Sequence, residues 1–303
     1  MSPFKAVRSR WILVLSAVLL TSFLVLPAYS PVAQAANQIW YVDQAASGVE
    51  DGTSWATAFK DLQAALSAAQ ATDQIWVAKG IYYPTSDSGD RSASFELKNG
   101  VALYGGFAGG ETQLSERDWE LNTTILSGDI DQNDTHVNGI VTSASDIVGN
   151  NSYNVVKGFL VGTSAIIDGF VITAGSANDL PASAFAGGAL HNTMSSPTIR
   201  NVTFSGNQAS IYGGAIYNTS DSNPSISYSY FVGNHATNGG AISNSNSAPT
   251  ISNTTFSKNS SDSTGGAIQH TTSVTTSNSL IISHADFLEN HSGTSGGAIS
   301  STS

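Results

Sequence analysis

Apolar and small residues in the second half of the chain recur with a period of about 26 residues. A Gly-Gly-Ala unit followed by Leu or Ile begins at Gly187, Gly213, Gly239, Gly265 and Gly296. A Phe-x-x-Asn unit alternates with it, at Phe204/Asn207, Phe231/Asn234, Phe256/Asn259 and Phe287/Asn290, and an isoleucine precedes each phenylalanine, at Ile199, Ile226, Ile251 and Ile282. This period is too short for a propeller blade and carries no helical spacing. It therefore predicts a solenoid in which each coil is built from short strands.

The repeated residue types suit the stacked coils of a parallel β-helix. Successive coils lie about 4.8 Å apart, so each repeated residue stands above its counterpart. The phenylalanines are expected to form an internal aromatic stack, and the asparagines an amide ladder in which each side chain donates to one neighbour and accepts from the next. The glycine pair allows a tight corner with positive φ. Because Ile and Phe are separated by an odd offset, a straight strand would point them to opposite faces, so a bend is predicted between them.

The first half of the chain is predicted to form a cap and the early coils. Apolar residues recur at every third or fourth position over residues 55–70, which predicts an amphipathic helix capped by Thr53 or Ser54. Strands are expected on either side of it, at 40–43 and 73–78. A helix across the open end of the first coil would cover apolar surface and block strand addition. At the observed period, the chain from residue 73 onward gives about nine coils.

The N-terminal segment has the order of regions found in a secretory signal peptide. Lys5, Arg8 and Arg10 make a basic start, residues 11–26 are apolar, and a tail of small residues leads to Ala35. This order predicts cleavage after about Ala35, with an uncleaved membrane anchor as the alternative. No later segment is apolar enough to be predicted as a membrane span. The chain is therefore expected to be exported.

The patterns divide the chain into four parts. These are a signal peptide (1–35), an amino-terminal strand and capping helix (36–84), irregular early coils (85–186) and regular repeats (187–303). The last Gly-Gly-Ala-Ile-Ser unit is followed by only three residues, whereas solenoids normally end in a polar or atypical cap. The repeats are therefore expected to be truncated at the carboxy end.

Composition narrows the range of partners. The chain carries 22 acidic and 11 basic residues, a net charge of −11, and charged residues make up only 11% of it. Nucleic acids and anionic membranes attract positive surfaces, so neither is an expected partner. The absence of cysteine excludes a disulfide framework, a thiolate zinc site and a cysteine nucleophile. What remains is a polar, weakly ionic surface rich in Ser, Thr and Asn.

The alternating Phe-x-x-Asn and Gly-Gly-Ala-Ile units of residues 187–303 resemble the repeats of chlamydial polymorphic outer membrane proteins and related bacterial surface proteins. In the first half, 62–66 followed by 75–82 resembles the amino-terminal cap of pectin-lyase-like proteins. The resemblance implies an all-β fold, a right-handed parallel β-helix (solenoid) with an amino-terminal capping helix. It further implies a secreted or cell-surface protein, with the outer membrane as one setting. The implied role is adhesin-like binding of carbohydrate or protein, or a structural one.

A secreted polysaccharide lyase or glycoside hydrolase is the alternative, because such enzymes also use the pectin-lyase-like fold. Their chemistry needs an Arg or Lys base with several carboxylates, or a pair of aspartates, gathered on one face. The regular repeats hold Arg200 and Lys258 in different coils, with no carboxylates repeated around them. The sequence therefore assigns no catalytic residue, and it would place any active site within residues 85–190.

One loop has the composition of a cation site. Asp129, Asp131 and Asn133 place oxygen atoms at alternate positions and Asp134 follows directly, which resembles the start of a calcium loop. Asp134 stands where an EF-hand has its turn glycine, and Ile140 where it has its bidentate glutamate. The sequence favours a polar turn and leaves a calcium site as the alternative; it indicates no other cofactor. The six histidines lack paired metal-ligand spacing and are predicted to lie on the surface or in loops.

Overall fold

The computed structural model describes residues 37–179, 185–272 and 279–302, and the predicted signal peptide lies outside these ranges. The described chain is almost entirely short strands whose ladders run parallel and stack in long sheets. These strands wind into a right-handed parallel β-helix, which confirms the predicted fold class. Among the described residues, no helix has the length and apolarity needed to cross a membrane.

The helical elements are short. The α-helix α1 spans Leu62–Ala68, and 3₁₀ turns lie at Trp55–Thr57, Leu114–Glu116 and Ala144–Asp146. The first strands are β1 (Ile39–Val42), β2 (Gln74–Ala78), β3 (Gly80–Tyr82), β4 (Phe95–Glu96), β5 (Ala102–Phe107), β6 (Thr124–Ser127), β7 (Val156–Phe159), β8 (Ile166–Asp168) and β9 (Val171–Thr173). They are followed by β10 (Ser176–Ala177), β11 (Leu190–Thr193), β12 (Thr198–Arg200), β13 (Thr203–Ser205), β14 (Gln208–Tyr212), β15 (Ile216–Thr219), β16 (Ser225–Ser227) and β17 (Tyr230–Val232). The last are β18 (His235–Asn238), β19 (Ile242–Ser245), β20 (Thr250–Ser257), β21 (Ser260–Thr264), β22 (Ile268–Thr271), β23 (Ile281–Leu288), β24 (His291–Ser292) and β25 (Ile299–Thr302).

The strands form three sheets that run along the solenoid. The largest has 13 strands and consists of two strips. We call β1-β2-β5-β8-β12-β16 the Ile strip and β3-β6-β9-β13-β17 the Phe strip; the long strands β20 and β23 contribute to both. A seven-stranded sheet has the order β4-β7-β11-β15-β19-β22-β25, and a five-stranded sheet the order β10-β14-β18-β21-β24.

Equivalent residues of successive coils lie directly over one another, as predicted. Ile199 pairs with Ile226, and Phe204 with Phe231. The rings of Phe204 and Phe231 are stacked with centroids 4.7 Å apart, and Phe256 and Phe287 continue the stack at 4.7 and 4.9 Å. Phe204, Phe231 and Phe256 are fully buried in the main core. The phenylalanine stack is therefore confirmed as part of the solenoid interior.

The predicted bend between Ile and Phe is a single residue in the left-handed conformation. It lies two positions after each isoleucine, at Asn201, Tyr228, Asn253 and His284, with φ between 49° and 52°. A left-handed residue turns the strand direction and restores both side chains to the interior, which an extended residue at that odd offset cannot do. The Gly-Gly corner also behaves as predicted. At Gly213, φ is +60° and a Cβ atom would lie 2.0 Å from the carbonyl oxygen of Ile216, so only glycine fits.

The predicted amide ladder is present, and its members Asn207, Asn234 and Asn259 are fully buried. Asn207 Nδ2 donates to Asn234 Oδ1 at 3.0 Å, and the chain continues through Asn259 to Asn290 at 2.9 Å per step. Each of these amides also donates to the carbonyl of a buried residue one coil below, for example Asn234 Nδ2 to Phe204 O at 2.9 Å. Burial of these polar side chains is tolerated because their hydrogen bonds are made along the axis.

A second, unpredicted ladder runs inside the seven-stranded sheet. Asn192 Nδ2 donates to Asn218 Oδ1 at 2.9 Å, and Asn218 Nδ2 to Asn244 Oδ1 at 2.8 Å, with all three residues fully buried. The next position of this column is His270, which is 5% exposed. The prediction that the histidines lie in loops or on the surface is therefore wrong for His270, because its strand position turns it into the interior.

The capping helix is shorter than predicted and begins elsewhere. The periodic segment 55–70 divides because Phe59 pairs with β1, donating its N–H to Tyr41 O at 2.9 Å. Asp61 caps α1 by accepting from Gln63 N at 2.9 Å, whereas Ser54 caps only the preceding 3₁₀ turn. Leu62 and Leu66 pack into the main core with residues of the first coils. The helix therefore covers the open first coil, as expected of a cap.

The coils are fewer than the predicted nine. From β2 onward, seven strands stack along the Ile strip and its continuation through β20 and β23, as counted over the described ranges. The difference arises in the coil between β5 and β8, which carries two insertions, 108–123 and 128–155. Part of the second insertion runs parallel to the solenoid axis and contacts successive coils. Val141 O accepts from Ser205 Oγ at 2.7 Å, and Ala144 N donates to Gly233 O one coil further on.

Candidate functional site

The predicted calcium ligands lie together in the second insertion, directly after β6. Asp129 accepts two backbone N–H groups of its own loop, from Asn133 at 3.0 Å and from Asp134 at 3.2 Å. Asp131 Oδ2 accepts from Asn150 N at 2.8 Å and from Asn133 Nδ2 at 3.0 Å. These contacts are those of a polar turn, in which carboxylates satisfy the N–H groups of a tightly folded loop.

Asp134 is a second buried acid of this loop. Its Oδ1 accepts from Val148 N at 2.6 Å, and its Oδ2 from Asn151 Nδ2 at 2.7 Å. Burial raises the pKa of Asp134 to about 6 against these lowering hydrogen bonds, and the charges of Asp129 and Asp131 raise it further. Burial also raises the pKa of Asp129. Within the described residues, no group of three or more His, Cys, Asp or Glu side chains is arranged to hold a metal ion. The calcium site stays a prediction.

A second charged cluster joins the first insertion to the outside of the Ile strip. Buried Asp168 accepts from Arg200 Nε at 2.5 Å and from Asn201 Nδ2 at 2.8 Å, and lies 2.7 Å from Arg117 Nη2. Arg117 also donates to Gly105 O at 3.1 Å and is only 7% exposed. A lyase base must reach its substrate. The Arg117 side chain is largely covered and is engaged by Asp168, so its contacts favour a role in holding the insertion in place.

The outer face of the seven-stranded sheet offers a surface of another kind. Side chains on its strands alternate between the interior and the exterior, so the outward residues form columns across the coils. One column contains Glu96, Lys157, His191 and Tyr217, and a second contains Phe159, Thr193 and Thr219. We call these seven residues the outer-face patch.

Aromatic rings are concentrated in this patch. Phe159 is 57% exposed. The Tyr217 ring lies 5.3 Å from the His191 ring and 5.5 Å from the nearly parallel ring of Tyr212, measured between centroids. Phe159 and His191 border a shallow cavity of about 340 Å³ that Glu96, Lys157 and Thr193 also line. An apolar ring beside hydroxyl, ammonium and carboxylate groups is the combination that binds a sugar ring, by stacking on its face and hydrogen bonding to its hydroxyls.

None of the outer-face patch was singled out from the sequence. Its members come from four coils, and the intervening insertions hide their register. A usable signal was present in part, because His191 and Tyr217 occupy the same position after successive Gly-Gly-Ala units, with Thr193 and Thr219 two residues further on. The calcium-loop residues lie in the second insertion, and none of them lines the cavity of the outer face.

Comparison with known proteins agrees with the repeat pattern. The family described as the Chlamydia polymorphic membrane protein (Chlamydia_PMP) repeat matches residues 201–219 and 253–271. Each match begins just before a buried phenylalanine of the internal stack and ends on the seven-stranded sheet, so it covers most of one coil. No curated protein and no solved structure matches the chain. The chain therefore carries a repeat of a family that indicates a bacterial cell-surface or outer-membrane location.

Proposed function

We propose that the protein is an exported, adhesin-like surface protein whose β-helix binds carbohydrate through the outer-face patch. The single observation that carries this proposal is the exposed Phe159 ring beside the His191–Tyr217 pair, at the edge of a cavity that Glu96, Lys157 and Thr193 also line. The repeat family supports the surface location. A neutral saccharide suits the patch, because Glu96 and Lys157 are adjacent and of opposite charge.

The other candidate roles differ in what they require of this face. An inert structural stalk needs no exposed aromatic rings in one place, and a protein ligand would contact about 20–30 residues, many more than the outer-face patch contains. The enzyme alternative, a polysaccharide lyase or glycoside hydrolase, draws no support from the two charged clusters, since the Asp129 loop and Arg117 are both engaged in holding the insertions.

The test is a glycan array with the purified protein, followed by cell binding. Phe159→Ala and Tyr217→Ala are each expected to weaken the binding of a saccharide hit about tenfold, the usual effect of removing an aromatic anchor. The matched control is Tyr230→Ala, since Tyr230 is 54% exposed on the Phe strip, away from the patch. Equal losses from Tyr230→Ala and Tyr217→Ala would refute the assignment of the binding face. An array without any hit would refute carbohydrate as the ligand.

A further inference from the structure

The outside of the five-stranded sheet carries a Ser-His-Asp arrangement that the binding role does not use. His235 on β18 and Ser260 on β21 are paired residues in adjacent coils. The His235 Nδ1 atom lies 3.0 Å from Ser260 Oγ, and the His235 Nε2 atom lies 3.5 Å from Asp262 Oδ2. A serine hydroxyl within hydrogen-bond distance of a base, with a carboxylate near the other ring nitrogen, is the arrangement used in nucleophilic catalysis by serine.

The nearby carboxylate favours one direction for this hydrogen bond. Asp262 can only accept, so it favours the neutral imidazole tautomer with hydrogen on Nε2. That tautomer leaves Nδ1 as an acceptor, and the Ser260 hydroxyl then donates to it. In this tautomer the serine proton faces the atom that must remove it. The base is partly open to solvent, since the His235 side chain is 35% exposed.

A cavity lies against the same pair of residues. It has a volume of about 320 Å³ and is lined by His235 and Ser260 from the sheet and by Ser143 and Ser145 from the second insertion. The insertion is held there by the hydrogen bond from Ala144 N to Gly233 O. A cavity of this volume is large enough for a short acyl chain with its alcohol.

A positive charge also lines this cavity. Lys258 lies at its wall, with its side chain 66% exposed. Its ammonium group approaches Glu289 only at 4.0 Å, so that contact is weak. An ammonium at the wall of the cavity can stabilise the negative oxygen that forms when a nucleophile adds to a carbonyl.

We propose that Ser260 is the nucleophile of an esterase site for short-chain carboxylic esters. Ser260 Oγ bonds to the ester carbonyl carbon while its proton passes to His235 Nδ1, and the carbonyl electron pair moves onto oxygen beside Lys258. Collapse of this intermediate breaks the bond to the alcohol oxygen, which takes the proton from Nδ1. Water then adds to the acyl-serine with Nδ1 as base, which releases the carboxylic acid and restores Ser260.

The experiment measures hydrolysis of p-nitrophenyl butyrate by the purified protein, together with covalent labelling by a fluorophosphonate. A single adduct on Ser260 is expected by mass spectrometry. Ser260→Ala is expected to abolish both labelling and turnover, and His235→Gln to slow turnover about 100-fold, the usual contribution of a general base. Asp262→Asn is expected to slow it less, because Asp262 acts only by orienting the base.

Two variants serve as controls. His291 pairs with Ser260 from the next coil, on the side opposite His235. His291→Gln is expected to leave turnover unchanged. Ser225→Ala removes an exposed serine from β16 and tests whether loss of any outer hydroxyl affects the protein. Thermal unfolding of each variant confirms that the coils are intact. Absence of wild-type turnover and labelling, an adduct on another residue, or full activity in Ser260→Ala would each overturn the proposal.

Discussion

Replacement of Asn234 by alanine should remove one rung of the internal amide ladder. The Asn234 side chain makes four hydrogen bonds. Its Nδ2 donates to Phe204 O and to Asn259 Oδ1, both at 2.9 Å, and its Oδ1 accepts from Asn207 N and Asn207 Nδ2, both at 3.0 Å. The residue is fully buried, so water cannot replace the lost partners. Four bonds at about 1 kcal/mol each give a loss of about 4 kcal/mol in the free energy of unfolding.

The assay is equilibrium unfolding in urea, followed by far-ultraviolet circular dichroism. Tryptophan fluorescence serves as a second probe, because Trp40, Trp55, Trp76 and Trp119 all belong to the early part of the solenoid. A solenoid can lose coils separately, and a circular dichroism change that precedes the fluorescence change would locate the loss in the later coils.

A matched variant separates the ladder from the side-chain type. Asn223→Ala removes an amide that is exposed and also hydrogen-bonded, with Ala248 N donating to its Oδ1 at 2.6 Å. Water can replace the lost hydrogen-bond partner at this exposed position, so we expect the free energy of unfolding to fall by about 1 kcal/mol or less. If Asn234→Ala costs no more than Asn223→Ala, the reasoning that the buried ladder stabilises the coils is refuted.

Three further predictions concern the charged clusters. The pKa of Asp134 is raised to about 6 in the folded protein, so the folded state binds more protons than the unfolded state between about pH 4 and pH 6. The free energy of unfolding should therefore fall as the pH rises through that range. In urea unfolding measured across this pH range, Asp134→Asn should make the fall less steep, and an unchanged slope would contradict the assignment. The polar turn predicts that Ca²⁺ leaves the melting temperature unchanged, whereas a rise that Asp131→Asn abolishes would establish the calcium site. Arg117→Ala should lower the free energy of unfolding by about 3 kcal/mol because it removes a partner of buried Asp168, and a double-mutant cycle with Asp168→Asn checks the coupling.

The features that repeat could be predicted from the sequence, because stacked coils place each repeated residue next to its counterpart in the neighbouring coil. The aromatic stack of Phe204 and Phe231 and the ladder from Asn207 follow from one period. The bend was predicted from the odd offset between Ile and Phe, but its residues could not be, since Asn201, Tyr228 and His284 share a backbone conformation and no side-chain chemistry. The second ladder was missed although Asn192, Asn218 and Asn244 stand at the same position after each Gly-Gly-Ala unit.

The features that do not repeat were the least predictable. The helix over 55–70 was predicted too long, because the periodicity of Phe59 reflects its pairing with β1 and not a helical face. The Asp168 cluster joins Arg117, from an insertion, to a strand far along the chain, and no spacing rule connects them. The outer-face patch depends likewise on how much chain each coil contains, which is visible only when the register of β7 and β11 is known.

The insertion at Val141–Ala144 bears on how the chain finds its correct order of coils. Repeats that place phenylalanine over phenylalanine and asparagine over asparagine make neighbouring coils nearly interchangeable, so a coil displaced by one full repeat would still match its neighbours. Val141 and Ala144 contact Ser205 and Gly233, which belong to two particular coils. A chain whose coils are displaced by one repeat cannot form both contacts at once. The irregular segment thus favours the native register of the coils over registers displaced by one repeat. Its removal should produce molecules that are stable but have their coils in a wrong register.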